Sequence, residues 1–274
     1  MKKVLFIIFL AVLFIPVFEV RAGATPVKIL LVPGHDNEIW GAQYGNIKEA
    51  NMNLALATRL YNLLKKDRRF EVHITRDDEG YVEEFADYFS KKREDILAFK
   101  ENAKKEMQNK IANGNFIEKE NVFHNTVSEN TSIILYGLNK WANENKMDAV
   151  IHVHFNDYPR PTKWTMGKYK GFAIYMPDGQ MANWKESGQL AANIFMQLNK
   201  KYITSTYKKE LGGLVPDQKL IALGSNGTLL PSVRSVLVEY GYIYRFRNTN
   251  MRRQAYNEMA SFTVTGIKNY FLKK

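Results

Sequence analysis

Four residues of this chain have the type and the placement to do chemistry on a metal: His35, Glu49, His154 and Glu239. Three of them close stretches that read as strands. His35 follows the apolar, β-branched run Val27-Lys28-Ile29-Leu30-Leu31-Val32 and the pair Pro33-Gly34. His154 ends the run that begins at Ala149, and Glu239 follows Val236-Leu237-Val238, with Gly241 just beyond. Open α/β sheets gather their ligands outside the carboxyl ends of the strands, so all three stand where a site forms. Gly34 lets the backbone turn sharply and admits a close approach. Glu49 lies near the start of the helix after His35, from which its carboxylate can turn back to the same rim. Two imidazoles, a carboxylate and an open position are the usual set for a catalytic zinc. A further carboxylate that takes a proton from water completes a hydrolytic site.

Taken singly, these residues have plainer explanations. A lone loop histidine is ordinarily a hydrogen-bonding or packing residue. Glu49 alone suits a first helical turn, where it complements the dipole. Glu239 is harder to explain away, because an unpaired carboxylate directly after Ser235-Val236-Leu237-Val238 is costly to bury.

The elements that must position them follow from periodicity. Apolar residues at spacings of three and four (Met52, Ala55, Leu56, Leu60, Leu63, Leu64) predict a helix over 47–66. Alternation predicts a strand at 70–75, in which His73 faces solvent. Phe85, Phe89, Ile96, Phe99, Ala103, Met107 and Ile111 form a stripe that predicts a helical segment over 81–112, closed by Asn113-Gly114. Helices are also expected at 129–143, 187–201 and 251–271, and strands at 149–155, 171–176 and 233–239. Strands alternating with helices imply crossover connections. The fold class is therefore α/β, a single domain with a twisted, mostly parallel sheet and helices on both faces.

Composition bounds the setting. The chain has 274 residues, 45% hydrophobic, with no cysteine and a net charge of +11. Zero cysteines exclude disulfides and a lipid-modified N-terminus. Met1-Lys2-Lys3, a short apolar run and Ala22-Gly23-Ala24 read as the three parts of a secretory signal peptide. The expected division is thus a signal peptide over 1–24 and a catalytic domain over 25–274. The expected location is outside the cytoplasm: periplasm, cell wall or extracellular space. The positive excess favours anionic partners. Export argues for the cell envelope over nucleic acid, with no stable membrane insertion once the signal is cleaved. Arg245, Arg247, Arg252 and Arg253 are solvated charge that can also hold the protein against anionic wall polymers.

At this point the residues resemble a known family, the zinc-dependent N-acetylmuramoyl-L-alanine amidases of the amidase-3 type. Pro33-Gly34-His35 resembles the family's Gly-His-Gly loop. Glu49-Ala50-Asn51-Met52-Asn53-Leu54 is similar to its Glu-x-x-x-Asn-Leu helix start, and Val72-His73-Ile74-Thr75-Arg76 to its Val-x-x-Thr-Arg strand. His152-Val153-His154-Phe155-Asn156 resembles its Ser-x-His-x-Asn segment, and Pro231 through Ile243 its Pro-x-x-Leu-x-Glu-x-Gly-Phe-Ile segment. The resemblance implies a phosphorylase/hydrolase-like fold. It also implies one Zn2+ on His35, Glu49 and His154, with Glu239 as catalytic acid/base. The implied substrate is peptidoglycan, cut between N-acetylmuramic acid and L-alanine. Any activating partner protein stays open.

Departures from the pattern mark what is particular to this chain. Asp36 and Asn37 replace glycines after His35. His152 replaces a serine; it is either a hydrogen-bonding partner behind the ligands or an alternative ligand, and Asn156 shares its face. A helical insertion at about 79–128, carrying His124, is longer than the family core needs. Its apolar stripe reads as packing, with a lid near the metal as the sharper reading. Trp40, Trp164 and Trp184 are ordinary packing residues or sugar-stacking platforms. Two competing functions are a related zinc hydrolase acting on another peptide or acyl-amino-acid amide, and a wall-binding protein with a lapsed site. The presence of all four functional residues speaks against the second.

Overall fold

An unbroken apolar run makes a strand that can be buried on both faces, and Val27–Pro33 (β1) is such a strand. Ile29 and Leu31 enter one core; Leu30 and Val32 enter another on the opposite side of the sheet. The computed structural model describes residues 25–119, 127–219 and 228–273. The signal peptide read at 1–24 and His124 lie outside the described residues.

The sheet has six strands in the order β4-β1-β5-β8-β6-β7. Here β4 is Phe70–Ile74, β5 Ala149–Asn156, β6 Ala173–Pro177, β7 Leu214–Asp217 and β8 Arg234–Tyr242. The first four in that order run parallel. Strand β6 runs antiparallel to β8, and β7 follows β6 in parallel. The mostly parallel sheet with helices on both faces is as the alternation of elements predicted.

One face is covered by α1 (Glu49–Lys65), α5 (Trp184–Leu198) and α6 (Thr249–Leu272), which share the larger core. The other is covered by α2 (Glu83–Lys91) and α4 (Glu129–Glu144), with α3 (Arg93–Ala112) packed outside α4. The single helical segment expected over 81–112 is thus two helices, broken at Lys92. The break has a packing reason. Phe85 lies against Trp141, ring centroids 4.7 Å apart, in the cluster under the sheet, whereas Ile96 and Ala103 pack with Ile133 and Tyr136 of α4. One straight helix would not serve both clusters.

Other differences are local. His73 was expected to face solvent; it is half-buried, edge-on to Trp141 and flanked by Glu71 and Glu84. Strand β7 gave no strand signal because Gly212-Gly213 precede it and Pro216 interrupts it, and an edge strand tolerates proline. A two-residue hairpin, β2 (Gln43–Tyr44) and β3 (Ile47–Lys48), leads directly into α1.

Phe85 is fully buried and joins the insertion to the sheet. Phe85→Ala should lower the unfolding free energy by about 3–5 kcal/mol, measured by denaturant titration.

Candidate metal centre

Strand parity brings the chemistry to one face. In β5, Ile151, Val153 and Phe155 enter the core beneath α1, α5 and α6; successive side chains alternate, so His152 and His154 face the other way. Strand β8 pairs with β5 in register, His154 with Glu239 and His152 with Leu237. Glu239 therefore stands beside His154 on the same face. On the other side of β5, Gly34 N donates to Val153 O at 2.9 Å, which continues the pairing past β1. The backbone then turns through His35, whose φ is +60°. A non-glycine residue there costs roughly 1–2 kcal/mol. Gly34 itself has no room for a side chain: an added Cβ would lie 2.1 Å from the His154 ring.

Glu49, the first residue of α1, is buried between the two imidazoles. Its Oε1 is 3.0 Å from His154 Nδ1 and its Oε2 is 3.2 Å from His35 Nε2. The rings stand nearly perpendicular, centroids 5.2 Å apart. Ligand-type atoms of His35, Glu49 and His154 all lie within 4.8 Å of one another, which makes them a group that can hold a metal ion. Backbone donors complete the setting of the carboxylate: Ala42 N on Oε2 at 2.9 Å and Phe155 N on Oε1 at 3.3 Å. Asn53, one turn further along α1, donates to Glu49 Oε1 at 3.2 Å and to Gly34 O at 2.9 Å.

Behind these residues lies Arg76, buried and bonded to carbonyls alone. It donates to Pro33 O and Gly34 O, each at 3.2 Å, and to Ala50 O at 2.7 Å. The guanidinium thereby ties the His35 loop to the first turn of α1. The Thr75-Arg76 motif was legible in sequence, but its mechanical role was not.

The two carboxylates of the site are driven apart in proton affinity. Burial works against ionisation of Glu49, but hydrogen bonds from His154 and His35 outweigh it and hold its carboxyl below the ordinary range. At Glu239, burial first and the charges of Glu49 and Glu210 next push the carboxyl well above it. Its Oε2 is shielded from solvent and has no hydrogen-bond partner. Burial, then His154, pushes His152 down to about 3, and its buried Nε2 also lacks a partner. Acceptor-type groups thus crowd one rim with little positive charge to balance them. Such a donor set suits a divalent cation.

His152 lies outside the three-residue group, one strand position behind His154. Asn156 comes after a register irregularity and donates to Glu210 Oε1 at 2.6 Å. Glu210, which follows Lys208-Lys209, was not singled out by the sequence reading. It is buried and also accepts from Ser205, Tyr175 (2.7 Å) and Tyr242 (3.0 Å). In front of the site, a cleft of about 620 Å³ is walled by Ile39, Tyr81 and the inner side of α4 (Thr131, Ile134, Leu135, Leu138), with His35, His154 and Glu239 on its floor. The helices at 83–112 do not line it. Their apolar stripe packs under the sheet at Phe85, against α4 at Ile96 and Ala103, and with Phe116 and Met181 at Met107.

The family model for N-acetylmuramoyl-L-alanine amidase matches residues 29–269. The chain belongs to this family. The amidase cleaves the amide between N-acetylmuramic acid and L-alanine in peptidoglycan. It shares its fold with solved structures at low identity. The N-acetylmuramoyl-L-alanine amidase of Clostridium difficile 630 is 16% identical with a TM-score of 0.56, over 92% of this chain and 100% of that one. The CwlD amidase of Clostridioides difficile, solved in complex with the GerS lipoprotein, is 17% identical with a TM-score of 0.57, over 89% and 98%. An amidase of Mycobacterium smegmatis is 18% identical with a TM-score of 0.53, over 90% and 97%. No curated protein matches the chain.

Arg76→Lys keeps the charge but loses the planar fork. It should destabilise the amidase by about 1.5–3 kcal/mol, read as a lower midpoint in urea with an unchanged slope.

Proposed function

We propose that His35, Glu49 and His154 hold one zinc ion and that Glu239 is the acid/base of the amidase reaction. The observation that carries this is the three donors within 4.8 Å, with the unpartnered Oε2 of Glu239 on the adjacent strand. Two imidazoles and one carboxylate make the His₂Glu set that suits zinc with an open position. Bound there, zinc would polarise the scissile carbonyl and make the attacking water more acidic.

The chain's own residues supply the remaining steps. Glu239 accepts the proton of the attacking water at its carboxylate and delivers it to the departing nitrogen of L-alanine. Asn53 and the amides of Ala42 and Phe155 fix Glu49, so that both its oxygens face the imidazoles. The apolar wall of α4 limits water beside Glu239, which strengthens electrostatic interactions there. His152 stays neutral behind His154 and adds no competing positive charge.

Residues 1–24 act, in this reading, as a secretory leader that delivers the enzyme to the cell wall. Among the described residues, no helix is long and apolar enough to cross a membrane. Without residues 1–24, whose Lys2, Lys3, Arg21 and Glu19 sum to +2, the net charge of +11 becomes +9, which favours retention on an anionic wall.

Release of N-terminal L-alanine from purified peptidoglycan tests the assignment. Glu239→Ala should slow release at least a hundredfold while bound zinc per protein, by elemental analysis, stays at one. His35→Ala and chelation should abolish both zinc and release. Full activity in Glu239→Ala, or in protein stripped of metal, would overturn the assignment.

A further inference from the structure

Two tryptophans on segments that lead into the candidate centre are exposed yet held by specific contacts. Trp40 is 42% exposed. Its Nε1 donates to Asn37 O at 2.7 Å, and its own carbonyl accepts from Ala50 N in the first turn of α1. Lys48 Nζ sits over one face of the indole, 3.1 Å from the ring centre, a cation–π contact that fixes the plane. The ring belongs to the segment that joins His35 to Glu49.

Trp164 is 60% exposed and packs edge-on to Tyr44, ring centroids 6.4 Å apart. It lies directly on the β2–β3 turn. An added Cβ at Gly45, whose φ is +56°, would come within 2.3 Å of the indole. The loop that carries it is stapled by Arg160, whose side chain is only 6% exposed. Arg160 makes two bonds to Asp157 and donates to Lys163 O and Thr165 O on its own loop. It reaches Gln43 O of the hairpin at 2.7 Å. A buried arginine thus joins the segment after His154 to the hairpin before Glu49, and Trp164 is displayed at the junction.

Holding an indole in one orientation costs side-chain entropy, and a ring that keeps about half of its surface in solvent returns only part of its burial energy for it. Such an aromatic is preorganised for a ligand with a flat apolar face. The amidase substrate brings one. The scissile amide hangs from a muramyl ring, so the glycan strand must pass close to Glu49 whenever the carbonyl is at the centre. Pyranose rings present faces of C–H groups that stack on indole.

We infer that Trp40 and Trp164 form a stacking subsite for the sugar rings flanking the muramyl residue under attack, an inference that rests on the amidase reading. The third exposed tryptophan is the internal contrast. Trp184 is 46% exposed but follows β6, which runs antiparallel to β8. Its neighbour Asn183 donates to Val233 O at the start of β8. That is roughly 20 Å of strand away from Glu239, at about 3.3 Å per residue.

The test is binding of peptide-free glycan strands by calorimetry, with no turnover required. Trp40→Ala and Trp164→Ala should each raise Kd about tenfold; Trp184→Ala should leave it unchanged. Gly45→Ala, which displaces the Trp164 ring without removing it, should give an intermediate loss. On cleavable substrate, the ratio of kcat/KM for long strands over a single-muramyl peptide should fall about tenfold in the two rim variants. Wild-type protein that does not bind glycan, rim variants that bind as wild type, or an equal loss in Trp184→Ala would each overturn the subsite. A glycan-binding protein that released no alanine would instead count against the zinc and Glu239 assignment.

Discussion

The buried carboxylate of Glu49 is the group around which the rest of the rim is arranged. A carboxylate taken out of water is costly unless nearly every lone pair finds a partner. Glu49 meets two imidazoles, two backbone amides and the Asn53 amide. Those five groups come from four places: the loop after β1, the segment before the hairpin, α1 and the end of β5. None can move far without leaving an unpaired buried charge. This explains why Arg76 is spent on three carbonyls. It locks the β1 loop to α1, and with them two of the four contributors.

Strand parity supplies the second constraint. His152, His154, Leu237 and Glu239 share a face because β5 and β8 pair without slippage up to His154. A one-residue shift of β8 would move Glu239 into the larger core and bring Val238 or Tyr240 to the floor of the cleft. The register is fixed by the apolar residues of β8 that interleave with α5 and α6. The placement of the candidate acid/base is therefore decided by packing on the opposite side of the sheet.

Much of this was legible in the sequence because it rests on period-two and period-3.6 patterns. Val27–Pro33 and Ala149–Asn156 announced buried strands, and their ends located His35 and His154. Glu239 stood out as an acid in an apolar run. What escaped notice depends on three-dimensional closure. Glu210 sits in a lysine-rich stretch and is recognisable only once Asn156, Tyr175, Ser205 and Tyr242 converge on it. The burial of Arg160 and the bracing role of Arg76 escaped notice too, since nothing local shows that a guanidinium will be buried among carbonyls. Strand β7 and the hairpin before α1 are too short, and too rich in glycine or proline, to carry a period. The break at Lys92 follows from which cluster each half of the apolar stripe must fill.

The insertion has a mechanical consequence for the cleft although its helices do not line it. Helix α4 is one wall of the cleft, with Thr131, Ile134, Leu135 and Leu138 toward the site and Ile133 and Tyr136 toward α3. Gly137, in the middle of α4, is a point of close approach by the insertion. A Cβ there would lie 2.9 Å from Phe89 and 3.1 Å from Ile96. A glycine inside a helix sacrifices roughly 1 kcal/mol relative to alanine, which is tolerable only if the close approach returns more in packing. Helices α2 and α3 therefore bear directly on the backbone of α4. The inner side of that helix is held against the site from behind, and the width of the cleft is set by contacts on the side of α4 that faces away from it.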